Sequence, residues 1–179
     1  MATEPSPRQL IVRVGDLLRE PGSLRRVERD VALGSLETTV AAVGPDRPIE
    51  VRVDVVAMAG GVEVTGEISF DFDGTCRRCL DAVQGSIDVP VREIAQRDPV
   101  DEEIFPIDGD LLDLEPLVTE LVLAALPIAP LCAEDCVGPA PDRFPTTTEA
   151  AVEDEAAAAP PPVDPRWAAL SDLRLSDDD

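Results

Sequence analysis

The residues of this chain best suited to chemistry are four cysteines in two close pairs, Cys76-Arg77-Arg78-Cys79 and Cys132-Ala133-Glu134-Asp135-Cys136. A Cys-x2-Cys turn aims two thiolates at one tetrahedral ion, and a pair with three intervening residues stays within the spacing that structural zinc sites use. Four thiolates fill the shell and leave no position for a substrate water, so a metal here is structural. Three other fates are open to the same thiols. A redox pair needs its cysteines at a helix N-terminus in a βαβ unit, whereas Cys76 follows a strand-like segment and Gly85 cuts off any helix soon after. A disulfide suits an oxidising compartment, and inert reduced thiols suit a reducing one. Zinc held by Cys76, Cys79, Cys132 and Cys136 requires two pairs distant in the chain to meet in space.

The rest of the composition narrows the chemistry further. There is no His, no Tyr and no Lys, and all 15 cations are Arg. Without His the chain has no Ser-His-Asp or Cys-His machinery and no imidazole metal ligand. Without Lys it has no Schiff base and no phosphate-loop lysine. Only carboxylates remain as bases, and Asp101, Glu102 and Glu103 are consecutive, so they share no face. The expectation is a protein that is not an enzyme and has no small-molecule substrate. Against the 15 cations stand 37 acids, for a net charge of −22. Nucleic-acid affinity rests on cations that neutralise phosphates, so tight, autonomous binding of bare RNA or DNA is disfavoured. A basic partner protein suits the charge, and so does plain self-repulsion of a soluble chain.

The elements that must position the cysteines are legible in the periodicities. Leu10–Val14 alternates as a short strand does, and Asp16–Glu20 can make one helical turn before Pro21-Gly22 stops it. Ser23–Val31 interleaves Arg25, Arg26 and Arg29 with Glu28 and Asp30, as a solvated face does. Val51, Val53 and Val55 alternate with polar residues, as do Val62, Val64, Ile68, Phe70 and Phe72, with Gly66 as a candidate bulge, and then Ile87, Val89 and Val91. Period-two patterning with one polar face predicts an antiparallel, half-solvated sheet, with 62–72 and 86–94 as a long hairpin around the first cysteine pair. Leu114, Leu117, Val118, Leu121, Val122 and Ala125 form one helical stripe, with Asp113 as the expected N-cap and Pro127 and Pro130 beyond the end. The predicted fold is α+β: a mainly antiparallel sheet whose hairpin is covered by one amphipathic helix.

The predicted organisation is a loose tail over 1–9, a domain over 10–138, a disordered linker over 139–163 rich in Pro, Ala and acids, and a closing segment over 164–179. In that segment Trp167, Leu170 and Leu173 make a short amphipathic stretch. Met1–Ser6 lacks the apolar run of a signal peptide. Leu121–Ala133 falls short of the roughly 20 apolar residues that a bilayer requires. A cytoplasmic protein without membrane contact is expected. Residues 98–132 contain acids and no Arg. Within them Asp98, Asp101, Glu102, Glu103, Asp108 and Asp110 are either a solvated loop ahead of the helix or a surface for a basic partner. Arg77 and Arg78, at the hairpin tip, are the candidates for a local RNA contact.

Several of these segments together resemble the YceD-like family, the large ribosomal RNA subunit accumulation proteins. They are Asp16-Leu17-Leu18 with Pro21-Gly22, Gly74-Thr75-Cys76-Arg77-Arg78-Cys79-Leu80, Asp113-Leu114-Glu115-Pro116-Leu117-Val118-Thr119-Glu120, Leu126-Pro127 through Leu131-Cys132, and Asp164-Pro165-Arg166-Trp167-Ala168-Ala169-Leu170. The resemblance covers 10–138 and 164–173. It implies a cytoplasmic, non-enzymatic factor supporting synthesis, processing or stability of large-subunit ribosomal RNA. Its implied partner is a ribosomal protein or a pre-ribosomal particle of the large subunit, with weak or indirect contact to the RNA. Many bacterial members carry a further Cys pair just after the position of Cys136, where this chain has Gly138-Pro139-Ala140-Pro141. The remaining four thiols then either share one metal or leave the second half of the site degenerate. The competing expectation is a zinc-dependent or thiol-redox binding protein unrelated to ribosomes.

Overall fold

A computed structural model describes residues 10–101 and 104–143. The expected tail over 1–9, Glu102 and Glu103, the linker beyond 143 and the closing segment with Trp167 all lie outside the described residues.

The chain is mostly strand with one helix. Strands β1 (Ile11–Arg13), β2 (Leu24–Val31), β3 (Leu36–Glu37), β4 (Ala41–Val43), β5 (Ile49–Met58), β6 (Gly61–Thr75), β7 (Ala82–Gln96), β8 (Phe105–Asp108) and β9 (Leu111–Asp113) precede helix α1 (Glu115–Ala125). They join in one mixed sheet in the order β1-β9-β8-β7-β6-β4-β3, with β5 also paired to β6 and β2 to β5. Every pairing is antiparallel except β7–β8, which are parallel over Ala95–Gln96 and Phe105–Pro106. No helix among the described residues is long and apolar enough to cross a membrane.

The hairpin expected over 62–72 and 86–94 forms and is longer, running from Gly61↔Gln96 to Thr75↔Ala82 in one unbroken register. The register leaves no bulge at Gly66, which corrects the expectation there. Glycine is needed for a different reason: a Cβ at Gly66 would fall 2.2 Å from the Arg52 carbonyl oxygen on β5. The apolar faces of β5 (Ile49, Val51, Val53, Val55) and β6 (Val62, Val64, Ile68, Phe70) are buried. Leu114, Leu117, Val118 and Val122 complete this core from the helix side. Asp113 ends β9 and Leu114 takes the cap position, but the Asp113 carboxylate still accepts the Glu115 amide at 3.0 Å. It thus satisfies one of the orphan donors of the first turn.

Besides the short β3–β4 pair, two segments form strands that the periodicity did not announce. Ser23–Val31 supplies β2, whose Arg26 pairs with Asp54 at 2.9 Å, while Asp30 receives Arg52 at 2.8 Å across the same ladder. The acidic stretch before the helix folds into the β8–β9 hairpin, which sends Ile107 and Leu112 into the core. Gly66→Ala is expected to destabilise the protein by about 2 kcal/mol or more, the scale of overpacking against an immovable backbone atom. Urea unfolding checks this, and an unchanged midpoint would contradict the close approach of β5 and β6.

Candidate metal centre

The end of β6 delivers Cys76 into the hairpin tip, where the chain must reverse before β7. The Cys76 amide donates to the Asp81 carbonyl at 2.8 Å and the Leu80 amide to the Cys76 carbonyl at 3.0 Å, which closes the turn. Leu80 is held at φ 66°, the left-handed region, with its side chain exposed. After α1, Leu126 is buried and Pro127 ends the helix, so the chain leads back to the same tip. There the Arg77 amide donates to the Pro130 carbonyl at 2.9 Å. Arg78 Nη1 donates to the carbonyls of Glu134, at 3.0 Å, and Cys136, at 2.8 Å. Arg78 therefore holds the second cysteine loop in place, while Arg77 keeps an exposed side chain.

These contacts bring all four sulfurs within 4.8 Å of one another. Cys76 and Cys136 Sγ atoms are 3.8 Å apart, and those of Cys79 and Cys132 are 3.6 Å apart. A tetrahedron with metal–sulfur bonds of about 2.3 Å has edges of about 3.8 Å. A disulfide requires about 2.05 Å. All four cysteines are free. The donor set and its spacing thus fit one tetrahedral, thiophilic ion. Cys76 is buried and Cys132 exposed, so the cluster is closed on the hairpin side and open on the loop side.

The electrostatics favour one thiolate in advance of any cation. The Cys79 amide leads a set of donors, with those of Cys132 and Arg78, that lowers the Cys76 thiol to about 6 against the opposing effect of its burial. Cys79 is pushed up. The Asp81 amide favours its thiolate, but desolvation and the hydrogen bonds it shares with Cys76, Cys132 and the Asp81 carboxylate outweigh that donor. Cys132 is raised as well, first by its hydrogen bond with Cys136. Bringing four thiolates together without a cation is unfavourable, and a divalent ion removes that obstacle by displacing the protons.

The acidic residues do not gather into a comparable site. Asp98, Asp101 and Asp108 are exposed. Asp110 receives Arg97 at 2.7 Å, and its carboxylate fills the space beside Gly15, where a Cβ would lie 2.3 Å from it. Asp110 is thus partly a structural residue, joining the β8–β9 turn to the start of the chain through the Val14 amide, which donates to its carbonyl at 2.8 Å. Neither this role nor that of Arg78 has a signal in the sequence, because each depends on a backbone group brought near by the fold.

The family described as "Large ribosomal RNA subunit accumulation protein YceD" matches residues 64–174, from near the start of β6 through both cysteine pairs and beyond. The chain belongs to the YceD family. The match starts after the Asp16–Gly22 segment, but longer alignments include that segment. Uncharacterized proteins of Mycobacterium tuberculosis and Mycobacterium bovis are 28% identical over 175 residues, covering 92% of this chain and 81% of theirs. One of Mycobacterium leprae is 26% identical over 177 residues, covering 94% and 79%. No solved structure matches the chain.

Two outcomes are expected at this YceD site. Protein expressed with zinc under reducing conditions should carry about one zinc per chain by elemental analysis, as a single shell of four thiolates requires. Less than a tenth of an equivalent would contradict that shell. Leu80→Gly should stabilise the protein by about 0.5–1 kcal/mol, because relief of left-handed strain exceeds the added chain entropy. A lowered melting temperature would show that the Leu80 side chain makes a contact that outweighs the strain.

Proposed function

We propose that the chain is a non-enzymatic factor that supports synthesis, processing or stability of large-subunit ribosomal RNA, and that it acts in the cytoplasm through protein contacts. Its membership of the YceD family over residues 64–174 carries this reading. The composition supports it. With no His, Lys or Tyr, the chain has only carboxylates to serve as bases, and no imidazole to activate a Ser or Cys nucleophile. Its −22 charge suits a cationic partner, here a ribosomal protein or a pre-ribosomal particle of the large subunit. Contact with the RNA itself is weak or indirect, with Arg77 and Arg78 at the hairpin tip as the candidates.

Zinc bound by Cys76, Cys79, Cys132 and Cys136 would supply cohesion rather than catalysis. It would tie the tip of β6–β7 to the segment after α1 at the point where the Arg77 amide and Arg78 guanidinium already join them. Asp98, Asp101, Glu102, Glu103, Asp108 and Asp110 remain the proposed surface for a basic partner, Asp110 also receiving Arg97.

Loss of the gene, in a strain with no second copy, should reduce large-subunit particles relative to small-subunit particles on sucrose gradients. Expression of the intact chain should restore the ratio. An unchanged ratio and unchanged ribosomal RNA level across growth temperatures would refute the role.

A further inference from the structure

The sheet has one long open edge. β7 pairs with β6 along its full length, but on its other side it meets only β8, and only at Ala95 and Gln96. From Ala82 to Val89 the outer side of β7 has no strand partner among the described residues, and no turn or loop amide outside the strands donates to it. The other long edge, β2, is dense in charge (Arg25, Arg26, Glu28, Arg29, Asp30), the usual defence against unwanted strand pairing. Ala82–Val89 contains a single charge, Asp88, and no proline.

The proline that follows fixes which groups face outward. Pro90 lies in the ladder opposite Glu67, and proline is tolerated in a strand only where its nitrogen points away from the neighbouring strand. Residues of the same parity, Ala82, Gln84, Ser86 and Asp88, therefore present both N–H and C=O to the open edge. The alternate residues bond to β6. Their side chains face the apolar side: Ile87 and Val89 pack half-buried on the core, Val83 is half-buried, and the Phe72 ring occupies the space a side chain would fill at Gly85.

We propose that this edge accepts an extended segment of a cationic protein as an additional strand, the segment alternating apolar residues with Lys or Arg. The inference rests on the partner reading above and locates where that partner binds. The apolar residues of the added strand would continue the Val83–Val89 row. Its cations would stand on the opposite face, which carries Glu67, Asp71, Asp73 and Asp88. The cations on that face already have acidic partners: Arg47 is 2.8 Å from Asp73, Arg52, opposite Glu67 in the ladder, is 2.8 Å from Asp30, and Arg92 is 3.3 Å from Glu63. Cross-strand pairs of opposite charge stabilise such additions, and like charges oppose them. A second copy of this chain fits poorly, since it would bring the same acidic face and a further −22 charges to the edge.

The test uses the full chain and a synthetic peptide alternating Val with Lys, with a Val–Glu peptide as the charge control. The Val–Lys peptide should slow hydrogen exchange at the amides of Gln84, Ser86 and Asp88, and the Val–Glu peptide should not. Ser86→Pro removes one outward donor and leaves the β6 ladder intact, whereas Ser86→Ala removes only the hydroxyl. The Pro variant should keep the wild-type melting temperature within a few degrees and bind about tenfold or more weakly, the scale of one to two net hydrogen bonds. The Ala variant should bind as wild type. If Ser86→Pro unfolds the chain, the parity assignment is wrong and the proposal falls. Binding without protection of those amides, or equal binding by the Pro variant, overturns it in favour of nonspecific charge attraction. Concentration-dependent self-association abolished by Ser86→Pro would make a second copy the occupant and overturn it as well. Failure here with a normal gene-deletion effect on subunit ratio would leave the assembly role standing. Intact peptide binding with no deletion effect would remove that role and keep the edge.

Discussion

The ladder between β6 and β7 is the interaction on which the rest of this structure depends. Its register, from Gly61↔Gln96 to Thr75↔Ala82, sets which side chains enter the core and where the first cysteine pair stands. One face of the hairpin buries Val62, Val64, Ile68 and Phe70, and a slip of a single residue would send that whole row into solvent. The same register ends β6 at Thr75, so that Cys76 begins the reversing turn with its amide already bonded to Asp81. The second cysteine pair then reaches the tip because α1 carries the chain back along the apolar face and Pro127 ends the helix near the turn.

The tip is therefore a junction between two parts of the chain that are far apart in sequence. A backbone bond from Arg77 to Pro130 and side-chain bonds from Arg78 to Glu134 and Cys136 bring the loops together, and the four sulfurs lie within 4.8 Å of one another. A thiophilic ion at this point would close a long loop, the situation in which a cross-link restricts the unfolded chain most in principle. The strained turn at Leu80 belongs to the same economy of space: the chain must reverse within a few residues while aiming both thiols inward.

Much of this was legible in the sequence. The alternation of Val51–Val55, Val62–Phe72 and Ile87–Val91 marked three strands and the pairing of the last two, and the Leu114–Ala125 stripe marked the helix. The cysteine spacing pointed to a shared site. What escaped was set by tertiary context. Leu24, Val27 and Val31 have no period of two, and β2 becomes a strand through its pairing with β5 and the Arg26–Asp54 and Arg52–Asp30 pairs across that ladder. The acidic 98–113 stretch reads as either a solvated loop or a partner surface, because few apolar residues, Phe105, Ile107 and Leu112, anchor its two short strands. The bonds from Arg78 to the carbonyls of Glu134 and Cys136 had no signal either, because nothing in its neighbours reveals that those carbonyls lie within reach.

The absence of lysine also makes the protein's partner unusually easy to read. Carbodiimide couples carboxylates to amines, and apart from the N-terminal amine this chain offers none of its own, so its many carboxylates report on the lysines of whatever they touch. The most direct measurement is carbodiimide cross-linking of the chain within purified large-subunit precursor particles, read by mass spectrometry. The account predicts adducts joining this chain's carboxylates to lysines of a basic large-subunit protein. Particles that hold the chain yet give no such adducts, while ultraviolet light links it directly to ribosomal RNA, would contradict it.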